Sequence, residues 1–139
     1  MTAGFVLASS EPGSTFRIRW EGDEKWVVLL VGPGLRARRQ VYAFCPHGDF
    51  RRLFDEMASQ WRGWPGEKRW SSLEAELRLA CTHDGLGHIE IHIDLETEPR
   101  APSNWRAMGT ILVEAGQLDR LARMAARFFE DRDSTLSGL

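Results

Sequence analysis

Three polar residues of one alternating run, His88, Glu90 and His92, are where residue type and spacing in this 139-residue chain first suggest chemistry. In an extended strand they share one side, with successive members about 6–7 Å apart. Two imidazoles with a carboxylate between them suit zinc or iron. His92 beside Glu90 or Asp94 would instead make an acid–base pair. If the preceding strand sets Leu79 opposite Ile91, Arg78 falls opposite His92 and Glu76 opposite Asp94. Glu76 would then add a second carboxylate, while Arg78 would repel a dication. The plain alternative is a solvated sheet face of ordinary polar residues. No metal or cofactor is assigned; His88, Glu90 and His92 stand as the candidate set should a metal bind.

The same stretch is acidic. Glu74 to Glu98 holds seven carboxylates and one arginine, whereas Arg36, Arg38, Arg39, Arg51 and Arg52 gather earlier in the chain. Such asymmetry serves either solubility or the electrostatic docking of a basic protein. The docking set read from it is Glu74, Glu76, Glu90, His92, Asp94 and Glu96. Six tryptophans add a second signal. Trp61 falls on a helical apolar stripe and reads as core. Trp64 and Trp70 sit in a polar connection rich in glycine and proline, and join the docking set as aromatic anchors; the alternative is that they cover the edge of the core under a loop. Cys45-Pro46-His47 brings a thiol near an imidazole, but a catalytic dyad needs an exposed thiol of lowered pKa. Cys45 and Cys81 both lie in apolar runs and read as buried thiols of a reducing compartment. Neither a Gly-x-Ser-x-Gly elbow nor a phosphate-cradling glycine loop occurs, so no catalytic residue is assigned.

The elements that must position these residues are mostly strands. Ile89, Ile91, Ile93 and Leu95 alternate with the polar set, and Leu73, Ala75, Leu77, Leu79 and Cys81 alternate in the run before it. Joined by Asp84-Gly85-Leu86-Gly87, the two runs predict one antiparallel hairpin, dry on one side and wet on the other. Upstream, Gly4–Ala8 predicts an edge strand, Phe16-Ile18-Trp20 a half-buried strand, Trp26–Val31 a central strand closed by Gly32-Pro33-Gly34, and Gln40–Cys45 a further strand. Trp105–Ala115 predicts the last one, ended by Gly116. Phe50, Leu53, Phe54, Met57 and Trp61 recur at three and four residues, a helical stripe that Asp49 could cap. Leu118, Leu121, Ala122, Ala125, Phe128 and Phe129 make a second stripe. The expectation is an α+β domain: one mostly antiparallel sheet of about five to seven strands with two amphipathic helices packed on it, over residues 49–61 and 117–131. Residues 1–139 read as a single domain, with 134–139 as a frayed tail.

Composition narrows the function classes. Hydrophobic residues make up 42% and charged residues 27%, so a chain of this length can build one core without disulfides. The formal net charge of −2 lacks the basic excess of a nucleic-acid binder. No basic segment followed by an apolar stretch opens the chain, and no apolar run approaches the roughly 20 residues needed to span a bilayer. A cytoplasmic location follows as an expectation.

Trp61-Arg62-Gly63-Trp64-Pro65-Gly66-Glu67, then Trp70, Leu77-x-Leu79, Asp84, Gly87-His88-Ile89, Trp105 and Gly116-Gln117-Leu118, before a helix ending in Phe128-Phe129, is an order of residues that resembles a small bacterial family, a domain of unknown function (number 6228). The resemblance runs from about residue 27 onward and implies no activity and no catalytic residue. The Gly-His-hydrophobic hairpin is also similar to that of small bacterial immunity proteins, which neutralise toxins from neighbouring cells. These readings together predict a non-catalytic, cytoplasmic protein-binding domain; an immunity-type protein blocking a basic toxin domain through the acidic face is one form of it. The alternatives are a metal-dependent or acid–base enzyme using His88, Glu90 and His92, and a small-molecule-binding module using the tryptophans. Neither nucleic acid nor membrane is an expected partner, and a homodimer stays open.

Overall fold

The structure, a computed structural model, describes residues 4–10, 13–43, 49–98 and 101–137, with side chains up to 131. Among the described residues eight strands form two four-stranded antiparallel meanders in place of the single sheet expected. The first runs β1 (Phe5–Ala8), β2 (Thr15–Glu21), β3 (Lys25–Gly32), β4 (Leu35–Tyr42); the second runs β5 (Lys68–Ser71), β6 (Leu77–His83), β7 (His88–Glu96), β8 (Arg106–Glu114). Each meander is followed by a helix, α1 (Asp49–Ser59) and α2 (Leu118–Ser137), and the two helices pack on each other. The same element order thus occurs twice without a repeat in the sequence. Period-two patterning reports that a strand has a dry side but not which strands pair, so the division into two sheets was invisible to it.

Three boundaries also move. β4 starts at Leu35, five residues before the expected Gln40, because Pro33-Gly34 makes a tight hairpin with Gly32 paired to Leu35. Gly34 supplies the positive φ of 72° that such a turn requires. Only Ala37 and Val41 of β4 are fully buried, and the arginines between them mask the alternation. The long strand expected from Leu73 is a turn instead: Ala75 lies at φ 62°, its N–H donates to Ser72 O, and Leu73 is exposed. β6 begins at Leu77, and the unanticipated β5 supplies its partner. The helical backbone of α2 continues to Ser137, through part of the expected tail. Cys45, Pro46 and His47 lie outside the described residues.

One core joins the inner faces of both sheets to the facing stripes of both helices. Trp26 of β3 sits at its centre. It stacks on Trp70 of β5 at 5.8 Å and meets Phe50 of α1 edge-on at 5.1 Å. Phe128 and Phe129 of α2 and Trp20 of β2 complete the shell around it. Ring pairs of this kind add about 0.5–1.5 kcal/mol each beyond the area they bury. The indole N–H of Trp26 is enclosed by these rings without a hydrogen-bond acceptor among the described residues. Where the inner faces come closest, Gly109 of β8 lies against Leu30 of β3; a Cβ there would stand 3.3 Å from its methyl carbon. Polar ties close the margins: Ser10 N–H donates to Leu112 O, Leu112 N–H to Ser9 Oγ, and Arg39 Nη1 to Glu96 O. Among the described residues no helix is long and apolar enough to cross a membrane.

Candidate functional site

The hairpin of β6 and β7 has the expected dry and wet sides, with Ile89, Ile91, Ile93 and Leu95 buried. Its register differs by two residues. Leu79 faces Ile93, Arg78 faces Asp94 and Ala80 faces His92. A two-residue slip preserves which face each side chain takes, so hydrophobic pattern alone cannot distinguish the two registers. The loop decides. Asp84 Oδ1 accepts the N–H groups of Leu86 (2.7 Å) and His88 (3.1 Å), and Gly85 and Gly87 take positive φ. These backbone donors, first that of Leu86, with the His88 side chain, hold the exposed Asp84 carboxyl down at about 2.

The loop draws one of the three candidate ligands away from the other two. His88 Nδ1 lies 2.7 Å from Asp84 Oδ2, at the loop. His92 instead joins a chain across the outer face: its Nε2 is 3.2 Å from Glu90 Oε2 and its Nδ1 is 3.0 Å from Thr110 Oγ1 of β8. Among the described residues no group of three or more His, Cys, Asp or Glu side chains could hold a metal ion. The Glu90–His92–Thr110 chain can pass a proton between a hydroxyl and a carboxylate, and Thr110 is the member that single-strand reading missed, because it comes from the neighbouring strand.

The expected acidic face is mostly self-neutralised. Asp94 accepts from Arg106 through both oxygens, Nε to Oδ1 at 2.9 Å and Nη2 to Oδ2, and from Arg78 Nη2 at 3.0 Å. Partial burial alone would raise the Asp94 pKa, but the Arg106 hydrogen bonds and the two guanidinium charges outweigh it and hold the carboxyl below its ordinary value. Arg78 Nη2 also donates to Glu96 Oε1 at 2.7 Å, and Asn104 Nδ2 to Glu96 Oε2 at 3.0 Å. Glu76 is 5% exposed and points away from the face: Ser72 Oγ donates to Oε1 at 2.7 Å and Tyr42 N–H of the first sheet to Oε2 at 3.3 Å. Of the six docking residues, Glu74 and Glu90 are exposed, His92 and Asp94 half-buried, and Glu76 and Glu96 buried.

The tryptophans divide between core and surface. Trp61, read as core, is 51% exposed, because α1 ends at Ser59 and the stripe does not reach it. Trp64 and Trp70, read as anchors or else as cover for the edge of the core, are each 7% exposed, which agrees with the second reading. Trp70 packs on Trp26, and Trp64 Nε1 donates to Cys81 O at 3.0 Å. His83 pins the intervening loop. Its Nδ1 accepts Gly85 N–H at 2.8 Å, which leaves the proton on Nε2 to donate to Trp61 O at 2.8 Å. Cys81 is buried as expected, and burial pushes its thiol up to about 12.

What the outer face of the second sheet does present is a broad, shallow surface. A depression of about 560 Å³ runs over Arg69, Arg78, Ala80, His92, Asp94, Arg106, Met108 and Thr110. Met108 on β8 is 63% exposed among these residues, and Trp105, just before β8 and not part of the depression's lining, is 39% exposed. Met108 attracts no notice in sequence, because it sits at an outward position of an otherwise ordinary strand.

Comparison with known proteins adds one match: the model of a family of unknown function (DUF6228) matches residues 10–132. No curated protein and no solved structure matches the chain.

Proposed function

The chain belongs to the family of unknown function DUF6228, and from its surface we propose that it is a non-catalytic protein-binding domain whose contact area is the outer face of the second sheet. The exposure of Met108 beside Arg106, Asp94 and His92 carries this reading. Methionine, tryptophan and arginine are the residue types enriched at protein contacts, and an open face bounded by fixed ion pairs suits a flat partner surface better than an enclosed substrate. Asp94, Arg78 and Arg106 hold one another in place, so little side-chain entropy is lost when a partner covers them. An immunity-type role against a basic toxin domain is one form of this reading. In that form Glu90, exposed beside His92, supplies the acidic charge, while Met108, with Trp105 just before the start of β8, replaces Trp64 and Trp70 as the apolar anchor.

The test uses the full chain as bait, as wild type and as Met108→Asp and Trp105→Ala. A specifically retained protein should bind at least tenfold more weakly to Met108→Asp, at unchanged melting temperature. Equal retention by both variants contradicts the proposal. The Glu90–His92–Thr110 chain favours a second reading, acid–base catalysis on the same face. A pH-dependent turnover removed by His92→Ala, with no retained partner, would move the assignment there.

A further inference from the structure

The outer face of the first sheet carries an arrangement that this reading does not use. Arg17 and Arg19 of β2 and Arg36 and Arg38 of β4 all project from it and are exposed. Between the two arginine rows runs central β3, whose outward residues Val27, Leu29 and Val31 are aliphatic. Register makes the pattern exact to one residue: Leu29 lies between Arg17 and Arg38, Val31 between Thr15 and Arg36, and Val27 between Arg19 and Gln40. Val6 of β1 extends the apolar stripe beside Arg17. A depression of about 310 Å³ follows these residues. Val27 is only 7% exposed although it faces outward, because the methylene stem of Arg19 and Gln40 beside it shelter the isopropyl group.

Arginines elsewhere on the molecule are mostly paired: Arg69 with Glu67, Arg78 with Asp94 and Glu96, Arg106 with Asp94, Arg51 with Asp55, Arg123 with Asp119. Among the described residues Arg17, Arg19, Arg36 and Arg38 take part in none of the ion pairs or side-chain hydrogen bonds. The nearest carboxylate on that face, Glu21, is at its far end and accepts from Gln40 Nε2 at 2.6 Å. Arg39, next in sequence, turns to the opposite side to reach Glu96 O, so it does not contribute. Four unpaired guanidinium groups on one face of a chain of net charge −2 are a localised cationic field, and like-charge repulsion among them is relieved by an anion.

We propose that this face docks an acidic, aliphatic-rich segment of a partner protein, laid extended along β3. Residues two apart on either strand are about 6.6–6.8 Å apart, and the arginine rows stand roughly 9–10 Å from each other across β3. An extended segment repeats at the same interval, so the aliphatic side chains on its sheet-facing side meet Val27, Leu29 and Val31; its carboxylates alternate with them on the far side, where the long arginine side chains, rising past the segment's two edges, meet them. Guanidinium pairs bidentately with carboxylate. Single-stranded nucleic acid is disfavoured because the stripe is aliphatic and offers no ring on which bases stack.

The probe is a fluorescein-labelled ten-residue peptide of alternating glutamate and valine, titrated with the full chain at low salt. Saturable binding should weaken about tenfold in Arg17→Gln/Arg38→Gln, weaken severalfold in Leu29→Ser, and stay unchanged in Arg123→Gln, whose arginine lies on α2. A peptide of the same composition with its glutamates and valines segregated should bind more weakly. Circular dichroism and melting temperature establish that the exposed substitutions leave the fold intact. Absence of peptide binding overturns the proposal. So does tighter, variant-sensitive binding of a dT10 oligonucleotide or of phosphatidylglycerol vesicles, and so does self-association abolished by the arginine variants, which would make the occupant a second copy.

Discussion

Asp94 shows how residue chemistry reshapes the surface. Its carboxylate is the shared acceptor for Arg78 and Arg106, so a residue that counts as negative charge in sequence presents almost none to solvent. Asp94→Asn should cost about 1–3 kcal/mol at pH 7, since a shared acceptor is lost and two guanidinium groups are left half-satisfied. The sign of the pH dependence follows from the lowered folded-state pKa. A carboxyl that ionises more readily when folded stabilises the fold above its ordinary value of about 3.9 and loses that contribution as pH falls through the lower folded value. The stability gap between wild type and Asp94→Asn in urea titrations should therefore be flat between about pH 5 and 7 and narrow below about pH 4. A gap that holds constant down to about pH 2 would contradict the pairing. The tryptophans teach the same lesson at this scale. Trp61, Trp64 and Trp70 fall within ten residues of one another, yet Trp70 joins the rings around Trp26 while Trp61 stands exposed. What separates them is where α1 stops and where the four-residue β5 begins, and a stripe of apolar spacing fixes neither to within a turn.

At the scale of elements, the strongest sequence signal gives the two faces of its hairpin correctly, but neither the start of its first strand nor its register. The β6–β7 hairpin announced its two faces through strict alternation, and both helix stripes were legible because their apolar residues recur without interruption. The sheet-level partition was not, because strand pairing is a long-range choice that alternation does not encode. β4 was blurred by its arginines, and the start of β6 by a turn that imitates a strand. That turn holds Ala75 at φ 62°. A Cβ in this left-handed region costs on the order of 1 kcal/mol, which glycine does not pay. Ala75→Gly should consequently leave stability unchanged or raise it by up to about 1 kcal/mol, offset in part by the freer unfolded chain. A loss above about 1 kcal/mol in the urea midpoint would show that the turn is not in this conformation.

On the scale of the whole molecule, two sheets share one core and turn unlike faces outward. The first presents unpaired arginines around an aliphatic stripe; the second presents internally balanced charge around Met108 and the Glu90–His92–Thr110 chain. Summed charge concealed this division, because a net of −2 averages a cationic face with acidic loops and edges. The interleaving of Arg17 with Arg38 was equally hidden, since they come from strands that are not adjacent in sequence and are brought together only by β3. The candidate binding face was legible as a position, the wet side of β7, but its chemistry depended on Arg106, Met108 and Thr110 from the next strand. Hydroxyl-radical footprinting of the full chain, alone and saturated with its retained partner, tests the central claim most directly. Met108 and Trp105 should lose reactivity on binding while Trp61 and Leu73 stay as reactive as in the free chain; undiminished oxidation of Met108 in the complex would contradict a contact area on the second sheet.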